Sequence, residues 1–219
     1  MQALVKSPAF SKNCTPILEV LQSHFAPEAK GNLLEIASGG GYHTVYFAQA
    51  FPNFIFQPTA YLPEEVQSVL INTKPHKNIL TCLQVDSSAE NWQVENSAFD
   101  VMVNINMVHI SPWSTCQGLM KGASKALKPG GKLFMYGPFN VGGEYTSEGN
   151  RNFDASLRAK DASWGIRNLE DVVTEAKLNN LDHVVSHPMP ANNLTLVFSK
   201  PMEKSELHNS VGFEQKSAS

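Results

Sequence analysis

Basic residues are in the minority here: 17 Lys and Arg stand against 20 Asp and Glu, a formal net charge of −3 with histidine neutral. No general positive field is available for a phosphate backbone, which argues against a charge-driven nucleic-acid binder. Long apolar runs are also missing. None approaches the roughly 20 residues needed to span a bilayer, and residues 1–6 lack the apolar stretch of a secretory leader. Cysteine is scarce: Cys14, Cys82 and Cys116 are odd in number and lack CxxC spacing. That excludes a disulfide framework, makes zinc and other metals unexpected, and points to reduced thiols in a cytoplasmic protein. Internal repeats and low-complexity segments are absent. What remains is 219 residues, 42% hydrophobic and 17% charged, enough for one α/β domain with a full core.

Strand-like and helix-like segments alternate along the chain, the pattern of a parallel sheet covered on both faces. Thr15 as N-cap and Pro16 at the first helical position predict a helix over 15–25. An apolar strand over 33–37 runs into glycines, and a helix is expected over 44–51. A strand follows over 54–59, a helix over 63–72 and a third strand over 79–85. The fourth strand, 99–106, is apolar enough to be central. A helix over 113–127 stops at Lys128-Pro129-Gly130-Gly131, and 132–136 is the fifth strand. Residues 137–166 are polar and glycine-rich, too long for a plain connection, and read as a lid or substrate loop. Asn168 caps a helix to 178; strands over 183–186 and 194–199 close the domain, which ends near residue 200. A polar tail over 201–219 is expected to be disordered.

Leu34-Glu35-Ile36-Ala37-Ser38-Gly39-Gly40-Gly41 is strand, small residues, then helix start. Glycines allow a tight turn and a ligand's close approach, and a helix start offers free N–H groups. The architecture serves dinucleotides and S-adenosylmethionine alike, and a ligand-free glycine turn is the plain alternative. A dinucleotide fingerprint requires G-x-G-x-x-G. Gly39 and Gly41 fit it, Thr44 takes the third place, and Glu35 inside the strand is atypical of it. A nicotinamide-dependent oxidoreductase is therefore the weaker reading.

Glu35 with the glycines, Asp86, Phe99-Asp100-Val101-Met102-Val103, and Leu127-Lys128-Pro129-Gly130-Gly131 together resemble class I S-adenosylmethionine-dependent methyltransferases. Further stretches are similar to the methyltransferase-like protein 26 family: Ser7-Pro8-Ala9, Asn106-Met107-Val108-His109-Ile110-Ser111-Pro112-Trp113, Tyr136-Gly137-Pro138-Phe139, Phe153-Asp154, Trp164-Gly165-Ile166-Arg167 and Met189-Pro190-Ala191-Asn192-Asn193. The resemblance covers roughly residues 7–200. It implies a Rossmann-like, doubly wound, seven-stranded sheet, mostly parallel with the last strand antiparallel. It also implies S-adenosylmethionine as cofactor, held by Glu35, Ala37, Gly39, Gly41, Thr59, Asp86 and Asn104. A turn or cap role is the alternative for Asp86. The superfamily usually has an acidic ribose-binding residue at the end of the second strand, and this chain has Ala60. Thr59, Glu64 and Glu65 are the candidate substitutes, and Ala60→Asp is expected to tighten cofactor binding.

Methyl transfer needs alignment, exclusion of water and sometimes a base. His109 follows the fourth strand, at the edge where open α/β sheets bind ligands, and is the candidate base. The alternative is a histidine bonding the turn backbone at Ser111-Pro112. Asn106 and Tyr136 end adjacent strands and are candidates for orienting a substrate. Tyr42, His43, Trp113, Asp154, Arg158 and Trp164 are candidate substrate contacts. Packing is the alternative for Tyr42, His43 and Trp113, and an i,i+4 ion pair for Asp154 and Arg158. The expected function is a small-molecule methyltransferase, with no nucleic acid or membrane as partner. A catalytically silent binding or scaffold protein is the alternative, motivated by Ala60.

Overall fold

The computed structural model describes residues 8–202. Ser7 of the family-like motif, and the expected disordered tail from residue 203 on, lie outside the described residues. The strands are β1 (Gly31–Ile36), β2 (Phe54–Ala60), β3 (Leu83–Gln84), β4 (Phe99–Ile105), β5 (Leu127–Gly137), β6 (Phe139–Asn140), β7 (Arg167–Asn168), β8 (Asp182–Met189) and β9 (Asn193–Ser199). The helices are α1 (Pro8–His24), α2 (Tyr42–Ala50), α3 (Pro63–Thr73), α4 (Trp113–Ala126), α5 (Glu148–Lys160) and α6 (Leu169–Leu178). Seven strands form one sheet in the order β3-β2-β1-β4-β5-β9-β8, and β6 pairs with β7 in a small separate ribbon. β1 to β5 pair in parallel, and β9 runs antiparallel to β5 and β8. This is the expected doubly wound sheet with its antiparallel last strand.

Alternation along the strands divides the core between two faces. Leu34, Ile36, Met102 and Leu133 pack with Leu119, Ala123 and Val172 of α4 and α6. Leu33, Phe56, Val101 and Phe134 pack with Ile17, Leu21 and Phe47 of α1 and α2. β1 neighbours β2 on one side and β4 on the other. The chain's winding reverses there, opening a crevice beyond the C-terminal ends of these strands.

Four local expectations need correction. α1 begins at Pro8, so Pro16 lies inside it, and the Thr15 hydroxyl meets Tyr46 Oη at 3.0 Å instead of capping. Burial of Phe10, Cys14, Ile17 and Leu21 at helical spacing outweighs the roughly 3 kcal/mol an internal proline costs. α2 begins at Tyr42, with Gly41 at its N-cap, two residues before the expected start. β3 shrinks to two residues, paired with Thr59 and Ala60, because Pro58 just before them in β2 has no N–H to extend the ladder. The Gln57 Nε2 amide fills in by donating to Thr81 O at 2.7 Å, and only an isolated bridge joins Phe56 to Ile79. The expected loop over 137–166 contains α5, capped by Ser147 Oγ accepting from Asn150 N at 3.1 Å. Its buried stripe is Asn150, Asp154 and Leu157, too polar to read as a core-facing helix.

Candidate active site

The glycine loop turns sharply at the end of β1. Gly39 and Gly41 have φ of 56° and 76°, left-handed values that L side chains adopt only with strain. Ala37 has φ 59°, and its N–H donates to Thr59 Oγ1 at 3.2 Å. Thr59 Oγ1 in turn donates to Glu35 O at 2.9 Å, while Ser38 N donates to Thr59 O at 2.8 Å. The end of β2 therefore braces the loop. Behind it, the buried Glu35 carboxylate accepts the Thr44 hydroxyl. Burial pushes the Glu35 carboxyl up to about 7, with hydrogen bonds from Thr44 and Ser38 opposing the rise. Thr44, where a dinucleotide fingerprint has glycine, thus ties the start of α2 to β1.

A cavity of about 470 Å³ opens beside this loop. Ala37 and Gly39 line it from the loop, Tyr61 and Glu65 from the start of α3, and Asp86 and Ser87 from the turn after β3. Met107, Ile110 and Ser111, which follow β4, and Trp164 complete its wall. Of the expected cofactor residues, Ala37, Gly39 and Asp86 face this space. Glu35, Gly41, Thr59 and Asn104 stand behind it as supports. Asn104 Nδ2 donates to Ile36 O at 3.2 Å, and its buried Oδ1 has no partner among the described residues. Asp86 Oδ1 accepts from Ser88 N at 2.8 Å and Ser88 Oγ at 2.6 Å. The turn role therefore occupies one of its oxygens.

Ala60 is 2% exposed and packs with Val69 and Cys82, outside the cavity lining. The carboxylate that lines it from the β2 side is Glu65. Its Oε2 accepts from Tyr61 N at 3.2 Å and Leu62 N at 3.0 Å, which fixes it at the mouth of the loop after β2. Leu62 at the N-cap has no side-chain acceptor, so the signal in the sequence is only half of a capping box: a glutamate at the third helical position behind Pro63.

The expected catalytic residues lie deeper. His109 is fully buried, and neither ring nitrogen has a partner among the described residues. A Cβ at Gly137 would fall 2.4 Å from His109 Nε2, so glycine is what lets the ring pack flat there, edge-on to Phe139 at 4.8 Å. Burial pulls the His109 imidazole down to about 3. It is neutral at physiological pH but walled off from the cavity, and the alternative turn-backbone bond is absent as well. Asn106, at φ 63°, donates its N–H to Tyr136 O at 2.8 Å and ties β4 to β5. Tyr136 is buried under α1, where Asn13 bonds its hydroxyl and burial raises its pKa. Asn13 Oδ1 also meets His43 Nε2 at 2.8 Å. Burial lowers the His43 imidazole to about 4. Tyr42 meets the Phe10 ring at a tilt and His43 meets it edge-on.

The remaining substrate candidates divide between two places. Trp164 lines the cavity. Trp113 and Arg158 line a second groove of about 470 Å³. Asp154 is a buried junction accepting from Tyr145 Oη at 2.8 Å, Arg158 Nε at 2.8 Å and Ile166 N at 2.6 Å. The i,i+4 ion pair with Arg158 is therefore present. Arg167, which the sequence did not single out, binds Val108 O at 2.9 Å and also Ser111 O and Ser163 O. It straps the Trp164 segment onto the segment after β4.

The profile of the family described as protein of unknown function DUF938 matches residues 5–200. Solved structures share the fold at low identity. An O-methyltransferase family protein from Burkholderia thailandensis is 14% identical with a TM-score of 0.75, over 90% of this chain and 58% of its own. Human N-acetylserotonin methyltransferase, solved in complex with S-adenosylmethionine, is 12% identical with a TM-score of 0.73, over 89% of this chain and 53% of its own. A Pyrococcus horikoshii protein is 13% identical with a TM-score of 0.68, over 89% of this chain and 92% of its own. The chain spans about half the length of several structures it matches, 54% for both the pyocyanin biosynthetic protein PhzM and mitomycin 7-O-methyltransferase MmcR. What this chain shares with these methyltransferases is the fold, a seven-stranded and mostly parallel sheet covered by helices on both faces.

Proposed function

This chain belongs to the DUF938 family, and from that premise we propose that it is an S-adenosylmethionine-dependent methyltransferase acting on a small molecule. One observation carries the reading: the cavity at the ends of β1, β2 and β4 combines a glycine turn with two carboxylates at separate positions. The residues fit the cofactor. A Cβ built on Gly39 meets nothing within 4 Å, so the turn leaves open space on its outer side. Glu65 is a hydrogen-bond acceptor suited to a vicinal diol, and Asp86 to an exocyclic amine. Ala37 and Gly39 would hold the chain of the ligand between them. The closer resemblance to the methyltransferase-like protein 26 family covers almost the same residues as the DUF938 match, which supports it.

When bound, the cofactor supplies a methyl group on a sulfonium, open to in-line displacement. The protein's own part is alignment and exclusion of water. Met107, Ile110 and Trp164 shield the cavity, and Arg167 holds their two segments together. We assign His109, Asn106 and Tyr136 a positioning role: they fix the ends of β4 and β5 from behind. The acceptor is then a group already nucleophilic near neutral pH. Partial enclosure by Trp164 favours a small-molecule acceptor over a macromolecular groove. No described helix is long and apolar enough to cross a membrane.

Titration calorimetry with S-adenosylmethionine and S-adenosylhomocysteine tests the proposal. Saturable binding of both is expected, and no binding of either at millimolar concentration would sink it. The absence of an acid at Ala60 favours a second reading, a silent fold that binds a partner without cofactor. Binding of S-adenosylhomocysteine removes that reading's basis.

A further inference from the structure

We propose that the groove lined by Trp113, Arg158 and Arg167 is a second binding site, for the carboxylate or phosphate group of a small metabolite. It shares no lining residue with the cofactor cavity, and it does not depend on the methyltransferase reading.

Charge balance supports it first. A half-buried guanidinium is ordinarily matched by a carboxylate. Among the described residues no carboxylate lies within 4 Å of Arg167. Its Nε and Nη2 donate to main-chain carbonyls, and Nη1 has no partner there. Arg158 is matched through Nε by Asp154, which leaves both of its Nη groups without a described partner. The fold nevertheless brings these two like charges near each other. Burial lowers the Arg167 pKa, the Arg158 charge adding to the shift while Cys116 and Asp154 oppose it. Two guanidinium forks on one concave surface are the arrangement that recognises a planar or tetrahedral oxyanion.

The surroundings make the site selective. Trp113 supplies a flat wall, with Arg167 Cζ 5.8 Å from its ring centroid. Across the groove, Asp171 and Glu175 of α6 are held by amides: Asn168 Nδ2 on the first, Gln117 and Asn179 on the second. This acidic rim disfavours polyanions and leaves room for one oxyanion on the arginine side. Arg167 is also held in place by Val108 O and Ser111 O, so its guanidinium is fixed before an anion arrives.

The test is titration calorimetry of the full chain with inorganic phosphate and, separately, malonate. At least one is expected to bind saturably, one per chain, with a Kd of about 1 mM, unchanged by saturating S-adenosylhomocysteine. Thr174→Glu, on the exposed α6 face of the groove, is expected to weaken binding at least about fivefold through like-charge repulsion. Asp171→Asn is expected to tighten it about twofold. Neither position lies in the core, and a thermal melt of each variant checks the fold. Malonate binding alone assigns the site to carboxylates, phosphate binding alone to phosphates. The proposal is overturned if neither probe saturates, if Thr174→Glu binds like the parent, or if S-adenosylhomocysteine competes with the anion.

Discussion

Replacing Glu65 by glutamine is the sharpest perturbation of the proposed cofactor cavity. The carboxylate is anchored by two backbone N–H groups on Oε2, and its other oxygen has no described partner. Glutamine keeps one acceptor oxygen for those N–H groups, so the loss at the helix start should stay near about 0.5 kcal/mol. The variant loses the charge and turns the second acceptor into a donor. A hydrogen bond to a charged group contributes about 1.5–3 kcal/mol. Glu65 is only half-buried, so the lower end applies, equivalent to about a tenfold rise in Kd for S-adenosylhomocysteine. Titration calorimetry reads this directly. A parallel titration with 2′,3′-dideoxyadenosine, which lacks the diol, should show no difference between parent and variant. Equal S-adenosylhomocysteine affinity in parent and Glu65→Gln would refute the role of Glu65 while leaving binding itself established. Ala60→Asp is the companion test. With Ala60 packed on Val69 and Cys82, an ionised carboxylate there costs several kcal/mol to desolvate, so the new side chain would be buried in its protonated form and the fold destabilised. Lower stability now replaces the tighter binding first expected from the sequence.

Three further outcomes follow from buried groups. Glu35 has its pKa raised from 4.5 to about 7, so the folded state holds the proton more tightly and stability falls as pH rises from about 4.5 to 7. The loss amounts to about 3 kcal/mol, and denaturant melts of Glu35→Gln across this range should be flatter than the parent's. His109 moves the other way, from 6.5 down to about 3. The folded state resists its protonation, so this residue's contribution is retained above about pH 6.5 and lost as pH falls toward 3. His109→Leu should therefore blunt acid unfolding, and if His109 only positions neighbouring strands, methyl transfer should keep the parent's pH profile. Gly137→Ala forces a Cβ against His109 Nε2, and thermal melts should show a loss of about 1–3 kcal/mol. An unchanged melting temperature would mean the ring can move aside.

The sheet was legible because its signals are short-range and redundant. Apolar strands such as Leu133–Met135, helix periodicity, and the glycine and Pro129-Gly130-Gly131 breaks all agree locally. Misreadings arose where tertiary contacts overruled local chemistry. Pro16 and Thr15 look like a helix start, yet burial of Phe10 and Cys14 carries α1 back a further turn and more. Pro58 interrupts a ladder that hydropathy alone extends through 79–85. In the cavity, positions tied to the glycine loop were legible from spacing, since Ala37 and Gly39 precede a helix directly. The roles of His109, Tyr136 and Asp154 were not. Polar residue type marks them as reactive, but only packing reveals that Gly137, α1 and Ile166 close over them. Arg167 is visible in the sequence only as the end of a family-like stretch, because the partners it straps together are main-chain carbonyls 56 and 59 residues away, which no side-chain pattern encodes.

Ala37 and Asn106, neither of them glycine, both hold left-handed backbone at the ends of adjacent parallel strands. Each such conformation stores about 1 kcal/mol or more, and persists because Thr59 Oγ1 and Tyr136 O accept from the N–H groups of Ala37 and Asn106 themselves. The loops they begin are therefore shaped before any ligand arrives, and their ordering entropy is spent during folding. Association with a cofactor should then proceed as near-rigid docking. Its heat-capacity change should reflect the apolar surface covered alone, without the larger contribution that accompanies ordering a mobile loop.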